Sequence, residues 1–179
     1  DDNLVTGTNP CGEISLEPFE SCNLAECFAP NIQDEAQLTQ VLLSMYRMTK
    51  IVSSLPLHWP QAAEVLERNR RLGLSITGIM QATDLLTEKA LDNAYHAVRE
   101  YDVEFSKRLS EKLGREIKPS LKISCVKPSG TVSLLAGVSA GVHPELADQY
   151  IRRIRMSSSD PLVAKCADAG YDVEYARRF

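Results

Sequence analysis

Asn9, Cys11 and Glu13 alternate with Pro10 and Gly12, and a second thiol, Cys22, follows Cys11 by 11 residues. Residues two apart project to the same side of an extended or tightly looped backbone, so the amide, the thiol and the carboxylate can converge. Pro10 fixes its own φ and biases Asn9 toward extended conformations, while Gly12 allows a left-handed or closely packed turn. The segment therefore spells a stiff loop tip bearing one cysteine between an amide and a carboxylate, side chains suited to radical chemistry.

A second segment could bind rather than react. Lys127-Pro128-Ser129-Gly130-Thr131 leaves an expected strand and enters an expected helix, where unpaired backbone N–H groups, the helix dipole and the hydroxyls of Ser129 and Thr131 can face an anion. Taken alone, the same residues are ordinary helix-capping turn chemistry. Gly137, Gly141, His143 and Pro144 follow in a glycine-rich stretch; a mobile loop near a substrate would look like this, but a loop histidine is more often hydrogen-bonded than catalytic.

Other chemistries fit poorly. Structural zinc draws its ligands as close pairs, whereas Cys22-x4-Cys27 stands alone and Cys125, Cys166 and His143 are isolated. A cysteine peptidase built on Cys11 and His143 lacks a helix N-terminus or a family signature around the thiol. Cys27, Cys125 and Cys166 lie among apolar neighbours and read as buried structural thiols, and Trp59 and Tyr46 as packing aromatics.

The elements that must position these groups follow from periodicity. Leu38, Val41, Leu42, Met45, Met48, Ile51 and Val52 recur at helical spacing after a cap at Asn31 or Asp34, ending near Ser53-Ser54. Pro60 opens a second helix to about Arg71, with Gly73 at its C-terminal cap. Leu74–Gly78 alternates like a short strand entering a turn. A long helix runs from Glu88 to Leu113 and closes at Gly114. Leu121–Val126 reads as a buried strand, Val132–Ala136 as a short helix, Tyr150–Met156 as another strand, and Asp160-Pro161 as the start of a last helix to about Ala169. Strands separated by helices predict an α/β fold with at least partly parallel strands.

The 179 residues suit one domain or a large piece of one. Hydrophobic residues at 44% and charged residues at 25% are globular values, and a net charge of −4 provides no broad basic surface for a nucleic-acid polymer. No apolar run reaches the roughly 20 residues of a membrane span, and no charged-then-apolar leader opens the chain. Five thinly spread cysteines differ from a secreted disulfide scaffold. The expectation is a cytoplasmic protein that keeps working thiols. A start at Asp1-Asp2, with the richest motif almost at once, suggests a piece of a longer, split or processed polypeptide.

Asn9–Pro18 with Cys22-Asn23-Leu24 resembles the active-site finger loop of ribonucleotide reductases, most of all the adenosylcobalamin-dependent class II enzymes. Asn69–Leu74, Lys127–Gly137 and Tyr150–Arg155 fit in the expected order, so the resemblance spans almost the whole chain. The 11-residue interval from Cys11 to Cys22 and the Pro-Ser-Gly-Thr turn favour class II over the iron-dependent class I. The fold implied is the second half of a ten-stranded α/β barrel, with the finger loop at about 8–27 and a phosphate turn at about 127–137.

The resemblance also implies roles. Cys11 would be the thiyl radical that takes the 3′-hydrogen, Glu13 the base for the 3′-hydroxyl, Asn9 the group holding substrate hydroxyls, and Cys22 one of two reducing thiols. Ser129, Gly130 and Thr131 would bind the substrate phosphates. The cofactor would be adenosylcobalamin, with no metal ligands in this chain. The partners would be a ribonucleotide, an N-terminal barrel half carrying the second thiol, a C-terminal redox segment, and a thioredoxin-type or other dithiol reductant. By this reading the chain alone does not turn over. A non-catalytic nucleotide-binding or assembly subunit of the same fold is the alternative.

Overall fold

A computed structural model describes residues 4–175. Its elements are β1 (Gly7–Thr8), β2 (Ser15–Leu16), β3 (Asn23–Phe28), α1 (Glu35–Val52), α2 (Pro60–Asn69), β4 (Leu72–Thr77), α3 (Glu88–Leu113), α4 (Val132–Ala136) and α5 (Pro161–Asp168). They fall into two compact units, residues 1–145 and 146–179. No helix among the described residues is long and apolar enough to cross a membrane.

The first unit is built on a parallel pair. β3 lies beside β4 in parallel, from Asn23 opposite Leu72 to Phe28 opposite Thr77, and β4 is bridged in parallel to Ser124 on its other side. Parallel neighbours need long crossovers, supplied here by α1 with α2 and then by α3. Asp34 caps α1 by accepting from Gln37 N–H at 2.7 Å, and Thr87 caps α3 by accepting from Ala90 N–H at 3.1 Å.

One face of the strands meets the helices. Leu72 and Leu74 of β4, Cys27 of β3 and Ile123 bury against Leu38, Leu42, Met45 and Tyr46 of α1 and Ala94 and Val98 of α3. Strand alternation turns Leu24 and Glu26 of β3 and Gly73, Ser75 and Thr77 of β4 to the opposite face. Consecutive parallel strands in sequence order, with their helices on one side, are the winding of a barrel segment, so the α/β expectation holds.

Three local expectations need correction. The C-terminal cap of α2 is Arg70 at φ 43°, not Gly73, which lies inside β4. Arg70 adopts this left-handed conformation because its buried guanidinium is held by Ser53 O at 2.7 Å and Ser54 Oγ at 3.2 Å. Leu121–Val126 is shorter as a strand than expected: Leu72 N–H donates to Lys122 O and Cys125 N–H to Leu74 O, with one bridge at Ser124. Tyr150–Met156, in the second unit, is not a strand. The described residues of that unit contain no strand for it to pair with, and Ile151 and Ile154 stay exposed.

Candidate active site

The Cys11 segment folds as a hairpin. β1 and β2 pair antiparallel, Gly7 opposite Leu16 and Thr8 opposite Ser15, and Asn9 N–H extends the ladder to Ile14 O at 3.2 Å. At the tip Gly12 N–H donates to Asn9 O at 3.0 Å, and Gly12 takes φ 78°, the left-handed value its sequence position suggested. Asn9 is buried, and its Oδ1 accepts Ile14 N–H at 3.4 Å, locking the amide beneath the turn. Cys11 is exposed at the apex and Cys22 is exposed just before β3.

Glu13 is partly buried, and its Oε2 is buried with no hydrogen-bond partner. A carboxylate oxygen in that condition costs free energy unless something donates to it, which marks it as an acceptor awaiting a proton or a hydroxyl. Its field reaches the face of the strands turned away from the helices. Burial raises the Cys125 thiol to about 11; the charge of Glu13 adds to the rise, Lys127 opposes it, and Glu26 and Cys22 add further. Cys125 Sγ would lie 2.7 Å from a Cβ placed on Gly73.

The phosphate-turn candidate is tied to the carboxyl end of β4. Lys127 N–H donates to Ser75 Oγ at 2.9 Å, Gly141 N–H to Thr77 Oγ1 at 2.5 Å, and Gly78 N–H to Ser139 O at 3.0 Å. Lys127 Nζ pairs with Glu26 Oε2 at 3.1 Å. Ser129 sits at φ 56° and its hydroxyl donates to Lys127 O at 3.4 Å; Thr131 caps α4 without a side-chain bond, and nothing lies within 4 Å of a Cβ built on Gly130. Ligands of parallel α/β sheets gather at the carboxyl ends of the strands, where this turn stands.

Of the other candidates, Cys27 is a core thiol pushed up to about 12 by burial, as expected of a structural cysteine. No group of three or more His, Cys, Asp or Glu able to hold a metal occurs among the described residues. Sequence reasoning missed the surroundings of Glu17 and Glu20. Glu17 accepts from Asn69 Nδ2 at 2.8 Å and Arg68 Nη2 at 2.5 Å, and Glu20 pairs with Arg71. The Asn69 bond, opposed by burial and reinforced by Arg68, holds the Glu17 carboxyl below the usual carboxylate range. Two acids with buried side chains, paired with Arg68, Asn69 and Arg71 across some 50 positions, leave no local pattern that could have revealed them.

No protein-family model matches the chain. It is 38% identical, over 97% of its length, to an adenosylcobalamin-dependent ribonucleoside-triphosphate reductase of Euglena gracilis, and equally so to one of Lactobacillus helveticus. A probable enzyme of the same description from Dictyostelium discoideum is 36% identical over 98% of the chain. The chain spans about a quarter of these relatives: 24%, 26% and 23% of their lengths. Among solved structures, a B12-dependent class II ribonucleotide reductase superposes with a TM-score of 0.65 at 36% identity, over 79% of this chain and 23% of that one. A class Id ribonucleotide reductase α subunit from Actinobacillus ureae shares the fold, with a TM-score of 0.51 at 21% identity, over 97% of this chain and 37% of its own. A cysteine hairpin beside a parallel α/β segment is thus matched, over almost the whole of this chain, by adenosylcobalamin-dependent ribonucleotide reductases of which it corresponds to about a quarter.

Proposed function

We propose that this chain carries the reacting loop for radical reduction of ribonucleotides to 2′-deoxyribonucleotides, with triphosphates as the substrate class named for its relatives. The carrying observation is the hairpin tip: an exposed Cys11 thiol between a buried Asn9 and a Glu13 whose inner carboxylate oxygen has no donor.

Cys11, as a thiyl radical, takes the 3′-hydrogen atom of the ribose, because S–H and activated ribose C–H bonds are close in strength; this hydrogen and the 3′-hydroxyl proton both return to the sugar once the 2′-position is reduced. Glu13 accepts the 3′-hydroxyl proton; it needs only hydrogen-bond reach and an ionised carboxylate. Asn9, fixed by its bond to Ile14, orients the substrate hydroxyls. Cys22 and a second thiol from outside this chain give two electrons and two protons. The 2′-hydroxyl leaves as water, hydrogen replaces it, and the two sulfurs join as a disulfide. A dithiol reductant of the thioredoxin type reopens that disulfide, and cytoplasmic thiol conditions suit the cycle. Ser129, Gly130 and Thr131 bind the phosphates through backbone N–H groups and hydroxyls at the open turn.

When bound, adenosylcobalamin supplies the one-electron chemistry that makes the Cys11 radical. The tip suits such a group, because Cys11 is exposed and space around Gly12 is open, so Pro10, Cys11 and Gly12 would lie against it.

The test is deoxyribonucleotide formation by the reductase chain that carries this segment, supplied with adenosylcobalamin, a dithiol and ribonucleoside triphosphates. Cys11→Ala is expected to abolish turnover while nucleotide binding persists. Turnover that survives Cys11→Ala sinks the assignment and favours a non-catalytic nucleotide-binding subunit.

A further inference from the structure

The hairpin that carries Cys11 is too short to hold its own tip. β1 and β2 contribute two residues each, and an isolated two-stranded hairpin is marginal in water. Its base is held from the next segment. Glu17–Glu20 closes into a turn, with Glu20 N–H donating to Glu17 O at 3.2 Å and Glu17 N–H to Glu20 Oε2 at 2.8 Å. Inside it Phe19 takes φ 65°, unusual for an aromatic residue, and packs edge-on against Trp59 with 6.4 Å between ring centres.

This turn is gripped by the end of α2 and the start of β4. Asn69 and Arg68 occupy the two oxygens of Glu17, and Arg71 pairs with Glu20. The side chains of Glu17, Glu20 and Arg71 are 6%, 0% and 0% exposed, so salt screens these charges little and their bonds are directional. Cys22 follows Glu20 by two residues, and β3 begins at Asn23. The turn is thus the joint between the arm bearing Cys11 and the short lead into β3 that bears Cys22.

We propose that this carboxylate clamp, Glu17 and Glu20 held by Arg68, Asn69 and Arg71, positions the reacting loop by fixing Cys11 and Glu13 relative to Cys22. Its members are positioning residues. Their catalytic consequence rests on the function proposed above, whereas their hold on the hairpin does not. Ion pairs suit the task because they fix direction as well as distance, and a reacting group misplaced by about 1 Å can lose a hundredfold in rate.

The experiment uses the reductase chain that carries this segment, with Arg68→Met and Glu17→Gln made singly and together. Arg68 is 42% exposed and Glu17→Gln preserves shape, so neither change opens a buried hole. Amide hydrogen exchange at residues 5–16 is expected to quicken by about tenfold or more, while β3 and β4 keep their protection. kcat is expected to fall about tenfold or more with KM within roughly twofold, because ground-state binding is untouched. Arg68→Lys should recover part of the loss, and the double variant should be no worse than the poorer single one, since both remove the same contact. Unchanged hairpin exchange overturns the proposal, as does a raised KM at constant kcat or strictly additive losses. If no ribonucleotide is reduced by the unmodified chain, the proposed function fails while the exchange measurement still decides the clamp.

Discussion

Replacing Asp102 by asparagine removes the counter-charge of a lysine that has no route to water. Lys50 is 0% and Asp102 1% exposed, with Lys50 Nζ 3.0 Å from Asp102 Oδ1. Oδ1 also accepts from the Tyr46 hydroxyl and from Ser106 Oγ at 3.0 Å, and Oδ2 accepts Ser120 N–H at 2.7 Å. Lys50 in turn donates to Lys118 O at 2.7 Å and Ser120 Oγ at 3.0 Å. The cluster thereby ties α1, α3 and the 118–120 segment together. Breaking one partner of a buried pair costs about 3–5 kcal/mol because the other charge stays behind. At roughly 2–4 °C per kcal/mol for a protein of this size, Tm should drop by about 10 °C.

The pH dependence supplies a second readout of the same variant. Burial already pushes Lys50 down to about 8 against the pull of Asp102. Without Asp102 its folded pKa falls further. Between the two folded values the variant's unfolded state binds more protons than its native state, so the variant gains stability with rising pH while the wild type does not. The deficit should therefore shrink up to about pH 8 and level off above it. Above pH 8 the wild type also gains, because its folded pKa lies below that of the unfolded chain. Urea unfolding from pH 6 to pH 9.5 measures both. A loss under about 1 kcal/mol, or a deficit that does not change with pH, refutes the reasoning.

Gly73→Ala drives a methyl into Leu24 and to within 2.7 Å of Cys125 Sγ on a buried strand. It should cost about 1–3 kcal/mol by urea titration, with Cys125→Ala restoring part of the loss. Cys125 and Cys27, raised to about 11 and about 12, should resist iodoacetamide at pH 8, while the exposed Cys11 and Cys22 alkylate; mass spectrometry of a timed reaction distinguishes them.

The long elements were legible in the sequence because their determinants are local. Asp34 and Thr87 cap helices whose apolar residues repeat at helical spacing, and Gly114 closes α3 with φ 63°. The Cys11 tip was legible for the same reason: Pro10 and Gly12 sit where the turn needs a fixed φ and a left-handed one. β3 was not, since Asn23 and Glu26 interrupt its apolar pattern; Glu26 belongs there because Lys127, 101 residues away, pairs with it. Gly73 was read as a cap because its neighbours in space, Leu24 and Cys125, are remote in sequence.

By itself the sequence determined which candidate side chains share the Cys11 loop and the backbone that presents them, since spacing and conformational preference act within a few residues. Only the tertiary structure decided what surrounds them: an orphaned oxygen on Glu13, a thiol raised at Cys125, and a clamp of buried acids and arginines beneath the hairpin. Burial and ion pairing depend on distances between segments some 50 to 100 residues apart, which no local pattern encodes.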